Sequence, residues 1–160
     1  MHLNIVDGIG MLDKIKEMVE NDLKITKSTA THQYEISQSA SELPLKSSRY
    51  YNLMGEFKRK KRAADRQLRH QIHWLTEFHM GKANSFEYKD VPVDFKKFST
   101  KNAATEYVLM LPKIEELDDK VFKYDECIKL CEHAIKGLSD LGWRIGNVIA
   151  WEKYQNGVDI

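Results

Sequence analysis

Seven lysines and arginines and a single acid, Asp65, fall within the twelve residues from Lys58 to Arg69, KRKKRAADRQLR, in a chain of 160 residues whose formal net charge is only +1. So dense a local excess of cations in a near-neutral chain suits a polyanion partner. Arginine in particular suits phosphates, because the planar guanidinium offers paired N–H donors to two oxygens and also stacks on bases. At about 100° per residue, a helix through this segment carries Lys58, Arg62, Arg66, Arg69 and His73 up one side, at steps of four, four, three and four. Leu53, Phe57, Ala64, Leu68, Ile72 and Leu75 fall on a different arc. The helix therefore has one face to bury and another to present. The candidate contact set is Lys58, Arg59, Lys61, Arg62, Arg66, Arg69, His70 and His73.

The plainest alternative is a solvated helix face that pairs with Glu115, Glu116, Asp118, Asp119, Asp125 and Glu126 further along the chain. Seven cations against one local acid exceed what such pairing neutralises, and like charges four residues apart weaken a helix. A function for the run is therefore the preferred explanation. His70, His73, Trp74 and Phe78 continue the same helix and offer stacking surfaces for unpaired bases, although for Trp74 and Phe78 core packing is preferred. His70, His73 and Glu77 lie on neighbouring helical positions, as metal ligands can, but no fourth ligand accompanies them and no metal is expected. The sequence holds no glycine-rich phosphate loop, no nucleophile elbow and no HExxH motif. Neither a catalytic site nor a cofactor is expected.

The elements that must position these residues are helical. With 31% charged residues, three prolines and eight glycines, the composition is that of an all-α chain, and one domain of 160 residues is expected. The mean hydropathy of −0.55 argues against a membrane span, and no basic n-region with a long apolar core opens the chain, so a cytoplasmic location is expected. The spacing of Met11, Ile15, Met18 and Val19 predicts a short helix over 11–23. Residues 27–43 are polar and weakly patterned, either irregular or weakly helical. Pro44 is placed to open a long basic helix over 44–81 that Gly81 ends, and 82–101 reads as a connector with little regular structure.

A second arm over 102–141 shows the clearest periodicity. Ala103, Tyr107, Met110 and Ile114 lead into a seam of Leu117, Val121, Tyr124, Ile128, Cys131, Ile135 and Leu138, at alternating spacings of four and three. A break is expected near Pro112 with the register surviving it, then a stop at Gly142 and a last helix over 144–155. The result is long antiparallel helices with coiled-coil packing. The seam pairs either with the basic helix inside one subunit or with copies of itself. Self-association is attractive because repeating a weak cationic patch adds avidity. Cys127 and Cys131, four apart in an apolar pattern, are expected to be reduced core thiols.

The stretch YDECIKLCEHAIKGLSDLGWRIGNVIAWEKYQNG, together with LPLKSSRYYNL leading into a basic helix that ends EFHMGKA, resembles the UvsY recombination mediators of T4-like tailed phages. The resemblance runs from about Leu23 to Gly157, with the features in the same order. It implies a ring-like homo-oligomer, hexamer or heptamer, that binds single-stranded DNA and loads a RecA-like recombinase onto strands covered by single-strand-binding protein. It implies no enzymatic activity, and a place in the cytoplasm of the bacterial host. In that family a lysine and an arginine just before the turn that here reads Phe78, His79, Met80, Gly81 contact DNA. A gapless count back from the turn lands on His73 and Leu75, and the nearest cations are Arg66, Arg69 and His70. The competing functions are a coiled-coil adaptor whose basic helix docks on an acidic protein, and an RNA-binding regulator using the same cations.

Overall fold

The computed structural model describes residues 10–24, 33–83, 88 and 94–157. The opening residues, the first part of the 27–43 stretch and nine of the twenty connector residues, on which some of the expectations above fall, lie outside them. Among the described residues the elements are four helices and no strand: α1 (Gly10–Leu23), α2 (Gln33–His79), α3 (Lys101–Leu109) and α4 (Pro112–Gln155). The chain is all-α. It divides into two compact units, residues 1–58 with 125–160 and residues 59–124, so α2 and α4 each contribute to both.

In the first unit, α1 buries Met11, Ile15 and Val19, α2 buries Tyr50, Leu53 and Phe57, and α4 buries Cys127, Ile128, Cys131, Ala134 and Leu138. Asp22 near the end of α1 fastens that helix to α2. Its carboxylate accepts from the Arg49 guanidinium and from the Tyr50 hydroxyl at 2.7 Å, with Lys46 Nζ 3.7 Å away. Burial, with the Asp22 carboxylate beside it, pushes the Tyr50 hydroxyl well above its ordinary pKa and keeps it a donor.

Two expected breaks are absent, and they meet in space. α2 begins at least eleven residues before Pro44, and α4 runs through Gly142 to Gln155. Proline's fixed φ is already helical, so Pro44 forgoes one backbone bond without forcing a start. Leu43, the residue before it, brings Cδ1 to 3.4 Å from the position a Cβ at Gly142 would occupy. Gly142 lies inside α4 without a positive φ and in ordinary contact range of Leu43, so it is not a left-handed cap. Gly137 is a place of close helix approach for α1, with Leu23 Cδ2 at 2.7 Å from its absent Cβ.

In the second unit Leu68, Leu75, Val108 and Ile114 form the buried cluster, with Ile72, Trp74, Leu111, Leu117 and Val121 packed against it. α2 ends where Gly81 takes φ of 76°. Gly81 N–H donates to the Phe78 carbonyl at 2.9 Å and Lys82 N–H to the Glu77 carbonyl at 3.0 Å, the paired bonds of a Schellman cap. Between α3 and α4 the chain turns at Met110 and Leu111, and Pro112 takes the first position of α4. This turn shifts the heptad register. α3 buries Ala104 and Val108, whereas Ala103 and Tyr107 are half-buried and Met110 is 74% exposed, because the non-helical pair interrupts the 100° progression that the seam requires. From Leu117 onward the seam residues face the interior of the chain itself. Tyr124, Ile128, Cys131 and Leu138 are buried and Leu117, Val121 and Ile135 half-buried.

Asp22→Ala leaves the buried Tyr50 hydroxyl without its acceptor, a loss of about 1–3 kcal/mol. A fall in the urea midpoint at unchanged m value would report it, and an unchanged midpoint would contradict the role given to Asp22. Burial also pushes the Cys131 thiol up to about 11, from 9.0. The folded state therefore holds this proton more tightly than the unfolded chain, and the associated stability, full below about pH 9, declines between about pH 9 and 11. Cys127 and Cys131, both free and buried, should resist an aromatic disulfide reagent at pH 8 until urea unfolds the protein.

Candidate nucleic-acid interface

The sequence KRKKRAADRQLR lies in the middle of α2 without a break. Its only small residues are the adjacent Ala63 and Ala64, and alanine is the best helix former. Taking Lys58 as the origin and about 100° per residue, the stripe cations Lys58, Arg69, Arg62, His73 and Arg66 fall between about 0° and 80°, with Arg59 and His70 at about 100° and 120°. Leu53, Ala64, Phe57, Leu75 and Leu68, all buried, fall between about 220° and 280° on the same wheel. The two arcs are nearly opposite. Lys58, Arg59, Arg62, Arg66, Arg69, His70 and His73 are all exposed. Lys60 and Lys61, which flank the buried arc, are half-buried.

Local contacts decide how many of these cations remain available. Arg69 pairs with Asp65 one turn earlier, in the acid-first orientation that helices favour. Arg66 Nε donates to the Arg62 carbonyl at 3.3 Å. That bond lays the side chain back along the helix and leaves its two terminal nitrogens for a phosphate fork. Lys58, Arg59, Lys60 and Arg62 make no ion pair with any described residue. Glu115, Glu116, Asp118 and Asp119 on α4 are themselves exposed, while Asp125 and Glu126 pair with Lys129 at 3.0 and 2.9 Å.

The family described as recombination, repair and ssDNA binding protein UvsY matches residues 15–158. The chain belongs to the UvsY family. No curated protein and no solved structure matches it. Membership gives this UvsY-family chain a role in recombination and repair through single-stranded DNA, and an exposed cationic arc is the feature that such a role requires.

The structure separates the aromatic candidates from the cationic ones. Phe78 is 1% exposed. It stacks between Trp74 at 5.5 Å and Tyr88 at 4.7 Å, so neither face of its ring is open to a base. Trp74 packs on the apolar cluster. Among the described residues no group of three or more His, Cys, Asp and Glu is arranged to hold a metal ion, and Glu77 instead pairs with Lys82 at 3.6 Å. No described helix is long and apolar enough to cross a membrane.

Sequence reasoning missed the arrangement around His79. This residue is fully buried, with Nδ1 2.9 Å from the Lys96 carbonyl and 3.4 Å from the Lys96 N–H. Its ring meets those of Phe78, Phe95, Phe98 and Tyr107 at 5.0–6.3 Å. The density of aromatic residues after Met80 was the available signal, but the pairing that closes the cluster joins residues about seventeen apart.

Asp65→Ala should tighten binding to single-stranded oligonucleotides and steepen its salt dependence by up to one phosphate contact, because it releases Arg69. Unchanged affinity and slope would show that Arg69 does not reach the strand.

Proposed function

We propose that the chain binds single-stranded DNA along the exposed arc of α2 formed by Lys58, Arg59, Arg62, Arg66, Arg69, His70 and His73. Lys61 stands at the border of that arc. The observation that carries this reading is the near-opposition of the cationic and buried arcs, which lets phosphates be contacted without disturbing the core. The protein acts as a recombination mediator, loading a RecA-like recombinase onto strands covered by single-strand-binding protein, in the host cytoplasm. Its action is electrostatic and mechanical rather than catalytic.

Function in this reading depends on self-association into a ring-like hexamer or heptamer, since one helix face offers few contacts and repetition supplies avidity. The seam residues are already covered within one chain. A better surface for a second copy is the last part of α4, where Trp143, Trp151 and Tyr154 are 75%, 60% and 75% exposed and share an arc of about 80°. Large exposed aromatics at helical spacing mark interfaces.

Affinity for a single-stranded oligonucleotide measured from low to high salt tests the reading. About four to six phosphate contacts per subunit give a log–log slope of about −3 to −4. Arg62→Ala, Arg66→Ala and Arg69→Ala together should make that slope shallower by about 2 while leaving the thermal midpoint and the solution mass unchanged. A flat slope for the unaltered protein would refute DNA binding, and dissociation of the triple variant would make the stripe an interface instead.

A further inference from the structure

Phosphate contacts alone do not account for preference for a single strand, because duplex DNA offers the same phosphates. Stacking on unpaired bases does, and the second unit carries a ring placed for it. The segment Asp94–Phe98, DFKKF, is non-helical and lies along the end of α2. Phe98 N–H donates to the His79 carbonyl at 2.9 Å, and Lys97 Cε passes 3.4 Å from the position a Cβ at Gly81 would occupy. Just ahead of these anchors Phe95 is 47% exposed.

The space beneath Phe95 is filled. Phe78 and Tyr88 meet the ring edge-to-face at 5.5 and 5.0 Å, and the His79 ring lies parallel to it at 6.3 Å. The ring cannot turn inward, and the neighbours fix its orientation. Lys96 and Lys97 beside it are exposed and make no ion pair with a described residue. The Lys96 ammonium is instead held over the rings of Phe98 and Tyr107 at 5.4 and 5.5 Å. Asp94 is the one acid of the segment. A rigid, half-exposed ring with two lysines next to it matches the combination by which proteins hold unpaired strands: stacking for a base, cations for the flanking phosphates.

We propose that Phe95, Lys96 and Lys97 form a second contact for single-stranded nucleic acid, in which Phe95 stacks on an unpaired base and the lysines hold the adjoining phosphates. This contact rests on the DNA-binding reading above and supplies its strand selectivity. Both the stripe and this segment belong to the same compact unit from Arg59 onward.

Paired variants separate stacking from packing. Phe95→Leu keeps apolar volume but no aromatic face, and should weaken binding to a single-stranded oligonucleotide about tenfold or more, with duplex affinity unchanged. Phe95→Tyr keeps the face and should bind as the unaltered protein does. On an oligonucleotide with abasic sites the two variants should bind alike. Lys97→Gln, which removes no ring contact, should reduce the salt slope by about 0.7. If Phe95→Leu and Phe95→Tyr bind normal single strands equally, or if Lys97→Gln leaves the slope unchanged, the second contact is overturned while a steep slope for the unaltered protein preserves the stripe. A flat slope for the unaltered protein would remove both.

Discussion

Ala64, Leu68 and Leu75 are buried on one arc of α2, and a rotation of the helix about its own axis would expose them. Each leucine contributes about 1.5–3 kcal/mol by burial, whereas a surface ion pair contributes about 0–1 kcal/mol. The apolar arc therefore sets the roll of the helix, and the charges take the directions that remain. Lys58, Arg62, Arg66, Arg69 and His73 point to solvent because their arc is nearly opposite the buried one. A surface so built presents its cations without any rearrangement of the core.

That surface has a cost within the helix. Cations repeated at three and four residues repel by about 0.2–0.5 kcal/mol per pair, and Asp65 offsets part of this by pairing with Arg69. Burial on the other arc is larger than the summed repulsion, so the helix persists. A strand of phosphates that meets them gains the attraction and releases its counterions.

Elsewhere specific contacts add to the buried core in joining the helices. Asp22 ties α1 to α2 through Arg49 and Tyr50, and glycines on α4 admit Leu23 and Leu43. At the far end of α2 a left-handed Gly81 stops the helix and turns the chain back, so that Lys96 and Phe98 bond to His79. The buried histidine and the rings around it place the DFKKF segment beside that helix end. A polar group is buried there in order to fix where a loop runs.

The helical class, the amphipathic division of α2, the stop at Gly81 and the kinship of the chain were legible from residue order, because periodicity and charge spacing act over one or two helical turns. The polar stretch before Pro44 and the passage through Gly142 were not. Leu43 meets Gly142 across almost a hundred residues, a contact that residue order does not show. The heptad register likewise failed before Pro112, where Tyr107 joins the aromatic rings around His79 and Met110 is left outside. The sequence by itself determined which residues are cationic, which are apolar and at what helical phase they recur. Only the tertiary structure decided which rings are enclosed and which, like Phe95, stay open, because enclosure depends on neighbours that residue order does not bring together.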